Sequence, residues 1–492
     1  MAHNPKVYLV GAGPGDPGLI TWKGRKLLAI ADSILYDHLA PEALLDLAPT
    51  HAERIYVGKK KSVHAYSQEE VCAMMIDRAR RGLTVVRLKG GDPFIFGRGG
   101  EEIEALADAG IPYEVVPGVT SPLGIAAYTG VPLTHRDHTK LVTFVTGHDV
   151  DAIDWSKVGQ TETLVIFMGI HFIRQITSEI MKYGRAGDTP AMCVRWGTRP
   201  DQQTITGTLA TIADQIEKAD MKPPATVILG EVVRLHGKLA WFERLPLFGR
   251  KICVTRAREQ APELSEKLRA LGADVIEYPV IELQPPADTG PLDRAIQNLA
   301  DYDWLIFTSV NGVRYFMDRL DASARDLRSL RARICAIGPA TRRAVEALHL
   351  KVDLMPAEYV AESLISAFGS TDLLNKKILI PRAAVARDVI PVELRKLGAE
   401  VDVVEAYRNV IPPETTKRNQ LPKPEWITFT SSSTVKNYIE IAGRESLEGV
   451  RIASIGPVTS ETARGLGLTV DIEANPYTID GLIAALLSHD HP

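Results

Sequence analysis

The sequence holds few cysteines, and no pattern ties them together. Its 492 residues include four, Cys72, Cys193, Cys253 and Cys335, without metal-ligand spacing or a CxxC pair. Scattered thiols of this kind are typical of a reducing compartment, where disulfides are rare. We therefore expect four small buried apolar side chains and no metal site.

Long hydrophobic runs and an excess of charge of one sign are also absent. No stretch approaches the roughly 20 apolar residues of a transmembrane helix, and the first residues pass from a polar tip directly into a strand, with no signal-peptide core. The 57 Lys and Arg nearly balance the 61 Asp and Glu, so no global field favours nucleic acid or an anionic membrane. The sequence predicts a cytoplasmic protein with neither partner, in which local basic residues meet any anionic ligand.

The chain is long enough for several domains, because one hydrophobic core rarely serves more than about 250–300 residues. Residues 6–245 alternate short apolar strands with amphipathic helical stretches, a pattern typical of an α/β fold. Pro246 and Gly249 then stand between a strand-rich block and a new strand, which marks a boundary. We predict one domain over 1–245 and a second region over 249–492.

The second region contains an internal repeat with a period of about 120 residues. The motifs KICVTRA and LGADVIEYPVI (251–281) recur as KKILIPRA and LGAEVDVVEAY (376–407). WLIFTS and ICAIGPAT (304–341) recur as WITFTS and IASIGPVT (426–459). In each copy a strand ends in a hydroxyl-bearing or Gly-Pro loop before a helix, which places hydroxyls and free N–H groups at the ends of parallel strands. Two similar α/β lobes facing one another across a cleft are predicted.

Three glycine-bearing loops follow predicted strands of the first region. They are GAGPGDPG at 11–18, GGDPFIFGRGG at 90–100 and PGVTS at 117–121. Glycine lets backbone approach a ligand closely. Three such loops together are stronger evidence for a ligand-binding site than any one of them. The first loop begins like a dinucleotide-binding GxGxxG, but Asp16 replaces the third glycine, and Pro14 and Pro17 obstruct the helix start. A nicotinamide dehydrogenase is therefore the less favoured alternative.

These loops belong to an ordered series of motifs: GAGPGDPG, LYD, VGKK, RLKGGDPFIFGRGGEE, PGVT, PLTHRD and VTGH. With them, residues 5–245 resemble the uroporphyrinogen-III C-methyltransferases of the tetrapyrrole methylase family. The resemblance implies a two-lobed α/β fold, a homodimer, and methylation at C2 and C7 with two S-adenosylmethionine, giving precorrin-2 and S-adenosylhomocysteine. It implies a cofactor site formed by Pro14, Gly90, Gly91, Asp92, Ile95, Thr120, Ser121, Met168 and Gly197.

The same resemblance implies which residues handle protons and substrate. Asp37, at the end of the strand SILYD, is the implied proton acceptor, and Lys59 in VGKK is the implied proton donor. Because uroporphyrinogen carries many carboxylates, basic side chains are expected around it. The candidates are Arg87, Arg98, His135 and Arg136.

Residues 249–490 resemble uroporphyrinogen-III synthase through VTRAREQ, FTSVNGV, IGPAT, VVEAYRN, FTSSSTV and IGPVT, in that order. The resemblance implies one lobe from 249–282 plus 409–490, another from 283–408, and hydroxymethylbilane held between them. Ring closure with inversion of ring D then needs oriented donors rather than a strong base or a metal. Tyr407 is expected to assist the leaving hydroxyl. The other expected substrate contacts are Thr255, Arg256, Ser309, Thr341, Arg382, Ser431 and Thr459.

The combined interpretation is an α/β chain with a two-lobed tetrapyrrole methylase fold followed by a two-lobed synthase fold with an internal repeat. Such a chain would form uroporphyrinogen III and then methylate it. An alternative keeps the methyltransferase and makes the second half a non-catalytic tetrapyrrole-binding module, since two facing lobes suffice for binding. The sequence leaves open whether the product serves sirohaem or cobalamin.

Overall fold

The computed structural model describes residues 6–58, 66–356, 361–369, 371–384, 388–416 and 423–490. The chain divides into two compact units, Met1–Lys251 with Leu268–Asp274, and Ile252–Lys267 with Val275–Pro492. The described strands form four five-stranded sheets, two in each half of the sequence. Within these described ranges, no helix is long and apolar enough to cross a membrane.

The first sheet collects the glycine-bearing loops at one edge. Its strands are β1 (Val7–Gly11), β2 (Ser33–Tyr36), β3 (Glu53–Tyr56), β4 (Val85–Lys89) and β5 (Tyr113–Val116). The helices of this segment are α1 (Trp22–Leu28), α2 (Gln68–Arg80) and α3 (Gly99–Asp108). The order is β3-β2-β4-β1-β5 and every pairing is parallel. The loops after β1, β2, β4 and β5 therefore lie side by side at the carboxyl edge.

The second sheet is mixed. Its strands are β6 (Val142–Thr146), β7 (Thr163–Phe167), β8 (Pro190–Arg195), β9 (Gln203–Thr208) and β10 (Ala225–Leu229). The helices around it are α4 (Ser121–Thr129), α5 (Trp155–Val158), α6 (Ile173–Lys182), α7 (Ile212–Lys218) and α8 (His236–Leu239). The order is β6-β7-β10-β8-β9, and only β6 and β7 pair in parallel. Sequence patterns miss β3 and β9, because both are edge strands without a buried apolar run.

The two sheets of the second half have four corresponding strands in the same order and a fifth strand that is parallel to its neighbour in one sheet and antiparallel in the other. One contains β11 (Lys251–Val254), β12 (Asp274–Glu277), β18 (Trp426–Phe429), β19 (Arg451–Ser454) and β20 (Ile472–Glu473). Its strand order is β12-β11-β18-β19-β20. The other contains β13 (Glu282–Gln284), β14 (Trp304–Phe307), β15 (Arg333–Ala336), β16 (Lys377–Ala383) and β17 (Glu400–Val410), ordered 13-17-16-14-15. The helices are α9 (Ala261–Ala270), α10 (Gly290–Gln297), α11 (Val310–Asp321), α12 (Pro339–Glu346), α13 (Ala361–Ala367), α14 (Val389–Lys396), α15 (Pro413–Thr416), α16 (Ser432–Ala442), α17 (Pro457–Gly465) and α18 (Ile479–Asp490).

The repeated motifs adopt the same local structure in both copies. Ser309 caps the start of α11 by accepting from Gly312 N, and Ser431 caps α16 by accepting from Thr434 N. Each cap satisfies an N–H that the first helical turn leaves without an intrahelical partner. The FTS repeat therefore encodes a strand end followed by a capped helix.

The cysteines yield a chemical prediction. All four are buried, and burial raises the pKa of Cys193, Cys253 and Cys335 to about 12. At about pH 8 these thiols stay protonated, and the thiolate is the form that reacts. We expect iodoacetamide to leave the native chain unlabelled and to label all four cysteines after denaturation, as read by mass spectrometry. Rapid labelling of a native thiol at that pH would contradict this placement.

Candidate functional site

Three glycine loops interlock at the carboxyl edge of the first sheet. Gly91 N donates to Gly13 O at 2.7 Å, and Gly13 N donates to Gly91 O at 3.3 Å. A Cβ on Gly118 would meet the Gly91 carbonyl oxygen and lie 2.7 Å from Gly11 Cα. Real Cβ atoms essentially never come this close, so backbone packs directly on backbone. The loops after β1, β4 and β5 thus form one continuous main-chain surface.

Asp92 ties two of these loops together. Its Oδ1 accepts from Phe94 N at 2.8 Å and its Oδ2 accepts from Gly118 N at 3.0 Å. Thr120 and Ser121 lie beside Gly91, whose Cβ position is 3.7 Å from Ser121 N and from Thr120 Cα. Asp92 therefore fixes the conformation of the β4 and β5 loops, a role that the sequence motif alone did not indicate.

The loop after β1 also contacts α4 and the residues that follow β8. Asp16 N donates to Thr198 Oγ1 at 2.9 Å. A Cβ on Gly124 of α4 would overlap the Pro14 ring, and one on Gly197 would overlap Ile125 of α4. Pro14 and Gly197 therefore both pack against α4, while Gly90 and Gly91 lie on the neighbouring loop.

A cavity of about 710 Å³ opens beside the β4 loop. Its lining combines apolar and polar side chains from the β4 loop and from the ends of β6 and β7: Phe94, Phe96, Arg98, Gly99, Gly100, Glu101, Thr146, His148 and Met168. The Phe96 and Phe167 rings meet edge to face with centroids 4.8 Å apart. Among the predicted site residues, Met168 and Arg98 line this cavity. Ile95 is an exposed residue of the same loop.

Five residues in the loops that follow β4, β7 and β8 have a strained backbone conformation. Phe96, Arg98, Met168, Trp196 and Thr198 have φ angles of 53°, 58°, 52°, 51° and 72°. A non-glycine residue in this left-handed region costs roughly 1–2 kcal/mol, and such strain often marks a ligand-binding or catalytic site. Met168 is held in this conformation while half of its side chain stays exposed. The strained loops thus present an apolar thioether to the cavity.

Asp37 lies immediately after β2, at the same carboxyl edge. Its side chain is 24% exposed, and its Oδ2 is 3.3 Å from Arg87 Nη2. Its Oδ1 accepts from Leu39 N at 3.1 Å. The carboxylate is therefore oriented by two donors and still reaches solvent. Lys59, the predicted proton donor, lies outside the described residues.

Arg87 is engaged inside the first sheet's unit. Its side chain is 7% exposed and donates to Glu102 Oε1 at 3.1 Å and to Leu88 O at 3.0 Å. Strand alternation directs this guanidinium under α3, and its contact with substrate stays a prediction. Arg98 lines the cavity and pairs with Glu101, with Nε to Oε1 at 3.0 Å.

His135 and Arg136 lie between α4 and β6, and neither lines the cavity. His135 Nδ1 accepts from Asp137 N at 3.1 Å. Sequence reasoning missed His148, whose Nδ1 is 2.9 Å from Thr146 Oγ1 and which does line the cavity. The motif VTGH contained the signal for His148, since it places a titratable ring just after a strand end.

In the second half, Tyr407 of β17 is held from two sides. Its hydroxyl lies 3.1 Å from Ser309 Oγ, and its ring stacks on Tyr315 with centroids 5.6 Å apart. Tyr315 is itself anchored, because its hydroxyl donates to Leu283 O at 2.8 Å. Only 7% of Tyr407 is exposed. The phenol is therefore well oriented and has a hydroxyl partner.

Three predicted threonines of the second half are buried. Thr255 is fully buried and donates to Thr428 O at 2.7 Å, while Thr428 donates to Cys253 O at 3.0 Å. These two bonds brace β11 against β18. Thr341 and Thr459 lie in the first turns of α12 and α17. The contacts of these threonines with substrate stay predictions.

Two predicted arginines of the second half already have carboxylate partners. Arg256 Nη1 lies 3.5 Å from Glu263 Oε2, and burial lowers the pKa of Arg256. Arg382 pairs with Asp388. A contact that sequence reasoning missed joins Gln260 Nε2 to Asn311 Oδ1 at 2.9 Å. It ties the segment before α9 to the first turn of α11.

Parallel strands with glycine loops at one carboxyl edge, beside a cavity, define an α/β ligand-binding enzyme. Residues 6–213 match the family model "Tetrapyrrole (Corrin/Porphyrin) Methylases", and residues 262–484 match "Uroporphyrinogen-III synthase HemD". The chain belongs to the tetrapyrrole methylase family in its first half and to the uroporphyrinogen-III synthase family in its second half. It is a two-part enzyme of tetrapyrrole biosynthesis.

Three known proteins are similar to this chain over all or part of its length. The chain is 38% identical over 491 residues to a porphyrin biosynthesis protein HemD of Ruminiclostridium josui, covering 98% of this chain and 97% of that one. It is 38% identical over 353 residues to a uroporphyrinogen-III C-methyltransferase of Bacillus subtilis, covering 70% and 72%. A crystal structure of a Thermus thermophilus uroporphyrin-III C-methyltransferase with S-adenosylhomocysteine matches at 43% identity, covering 47% and 99%, with a TM-score of 0.42.

Proposed function

We propose that the first half methylates uroporphyrinogen III at C2 and C7 and gives precorrin-2. The observation that carries this proposal is the continuous glycine backbone of the β1, β4 and β5 loops, next to the cavity with Met168. S-adenosylmethionine, when bound, supplies an electrophilic methyl group on a sulfonium. A main-chain surface without side chains suits such a ligand, because its donors and acceptors reach the ligand unobstructed.

The residues present fit the cofactor in their chemistry. Cβ atoms at Gly11 and Gly118 would collide with neighbouring backbone, so glycine at these positions lets the β1, β4 and β5 loops pack closely at the sheet edge. We propose Gly90, Gly91, Thr120 and Ser121 as polar backbone contacts, and Ile95 and Met168 as apolar ones. Pro14, Asp92 and Gly197 shape the site, with Asp92 acting through its two backbone bonds.

We propose that Asp37 accepts the proton that the methylated ring carbon must lose. Its position after β2, its partial exposure and its two donors support this role. General-base catalysis needs an oriented group within hydrogen-bond reach of the proton. Lys59 is proposed as a proton donor, and Arg98 as a carboxylate contact at the cavity.

Titration calorimetry and product mass test the cofactor assignment. The full chain should bind S-adenosylhomocysteine and show no heat with NAD. It should also add two methyl groups to uroporphyrinogen III when S-adenosylmethionine is present. Binding of NAD with no methylated product would reject the proposal in favour of a dehydrogenase.

We propose that the second half closes hydroxymethylbilane to uroporphyrinogen III with ring D inverted. The anchored Tyr407 hydroxyl supports this, since the departing hydroxyl must take a proton and leave as water. Arg256, Arg382 and Ser431 are proposed to meet carboxylates of the substrate. We also propose domain limits of 1–245 and 249–492, and a homodimer formed through the first half.

Replacing Tyr407 by Phe should slow ring closure roughly tenfold, the equivalent of about 1.4 kcal/mol in the transition state. The variant removes only the hydroxyl and keeps the ring stacked on Tyr315. Initial rates with hydroxymethylbilane, without cofactor, measure the effect. Methyl transfer to added uroporphyrinogen III is the internal control and should be unchanged. An unaltered rate of ring closure would remove Tyr407 from the mechanism.

A further inference from the structure

A row of four ionisable side chains runs beneath the carboxyl edge of the first sheet. Arg87 and Lys89 point to the same face of β4, where Glu102 of α3 meets both, at 3.1 Å from Arg87 Nε and 2.9 Å from Lys89 Nζ. Arg87 then reaches Asp37 at 3.3 Å. The two cations balance the two carboxylates. Only Asp37, at the end of the row, is appreciably exposed.

Such a cluster is a poor device for stability. Glu102 is fully buried, and its Oε2 has no hydrogen-bond partner among the described residues. Removing charges from water costs several kcal/mol per ion, and apolar replacements of buried ion groups are often neutral or stabilising. Burial, followed by the neighbouring charge of Arg87, lowers the pKa of Lys89. The arrangement therefore calls for an explanation other than the stability of the sheet.

We propose that Arg87 and Glu102 are positioning residues that fix the Asp37 carboxylate for proton transfer. Glu102 of α3 accepts a hydrogen bond from Arg87 and so fixes the guanidinium. Arg87 in turn donates to Asp37, which follows the neighbouring strand β2, and so orients its carboxylate. The inference rests on the proposed function, since it needs Asp37 to act on the methylated ring. Lys89 shares Glu102 with Arg87, and its interaction with Asp37 is a Coulomb attraction without a hydrogen bond or a close ion pair.

Lys89 therefore provides a matched control. Arg87→Met leaves Glu102 paired with Lys89, and Lys89→Met leaves Glu102 paired with Arg87, so neither variant strands a buried charge. Glu102 itself is a poor target, because its removal would leave two buried cations uncompensated. Arg87→Lys keeps the charge without the planar fork.

A double-mutant cycle on the full chain tests the inference. Arg87→Met should lower kcat for methyl transfer by about 10- to 100-fold, as expected for a misplaced catalytic group, with KM for uroporphyrinogen III and the Kd of S-adenosylhomocysteine unchanged. In the Asp37→Asn background the same change should cost less than about twofold, since groups that act as a unit are non-additive. Arg87→Lys should recover part of the rate. Lys89→Met should have the same effect in both backgrounds.

The outcomes separate the inference from the proposed function. Equal effects of Arg87→Met in both backgrounds would overturn the positioning role and leave Asp37 as the proton acceptor. Full activity of Asp37→Asn alone would overturn both. The Kd of S-adenosylhomocysteine, measured on the same samples, reports that the first half is folded, since the second half is a separate compact unit. If Arg87→Met fails this check, the cycle with Arg87→Lys decides by the same criterion.

Discussion

Replacing Gly118 by Ala is expected to abolish measurable methyl transfer, with a loss of at least about 100-fold, because a shift of one ångström in a positioned group costs that much. The new Cβ would strike the Gly91 carbonyl oxygen and Gly11 Cα, both of which are backbone atoms. Backbone cannot swing aside as a flexible side chain does, so the three loops must move apart. Calorimetry should show the loss as weakened binding of S-adenosylhomocysteine.

Gly237→Ala is the matched control for this change. Gly237 lies in α8, and a Cβ there would meet no atom within 4 Å. The control should retain cofactor binding and methyl transfer, and both variants should close hydroxymethylbilane at the normal rate. Normal binding of S-adenosylhomocysteine by Gly118→Ala would show that the interlocked loops do not form the cofactor site.

Replacing Asp37 by Asn should lower kcat for methyl transfer by about 10²- to 10⁴-fold, the usual contribution of a general acid or base. The amide keeps the size of the side chain but cannot accept the proton. Its oxygen can still accept from Leu39 N, so the loop after β2 should hold its shape. The Kd of S-adenosylhomocysteine and the rate of ring closure should both be unchanged.

The pattern of loss identifies the role of Asp37. A fall in kcat with constant KM indicates an interaction made only in the transition state. A rise in KM with constant kcat would instead place Asp37 in substrate binding and contradict its role as proton acceptor. Single-turnover measurements of methyl transfer distinguish these results from slow product release.

Sequence patterns predicted the class of fold and the clustering of loops because both depend on local signals. Apolar runs ending in glycine predict strands with bare loops, and parallel pairing brings the β1, β4 and β5 loops to one edge. The internal repeat predicted that Ser309 and Ser431 have equivalent places, and both cap helices. The edge strands β3 and β9 escaped because their residues are largely exposed or half-buried.

Residue type alone does not give the orientation of a side chain. Arg87 and Thr255 have the chemistry of ligand contacts, and within the fold they donate to Glu102 and to Thr428 O. A sequence motif does not show which face of a strand is covered by a helix. Two basic residues alternating with apolar ones in β4 did contain a usable signal, since buried cations require a carboxylate partner. That partner is Glu102, which lies in α3, the next helix after β4.

Product analysis from hydroxymethylbilane tests the central claim that one chain closes the tetrapyrrole and then methylates it. The purified full chain is incubated with hydroxymethylbilane, with and without S-adenosylmethionine, and products are identified by mass and by isomer. We expect uroporphyrinogen III without the cofactor and a doubly methylated type III ring with it. A product that never gains methyl groups, or a ring that is not isomer III, would contradict the account.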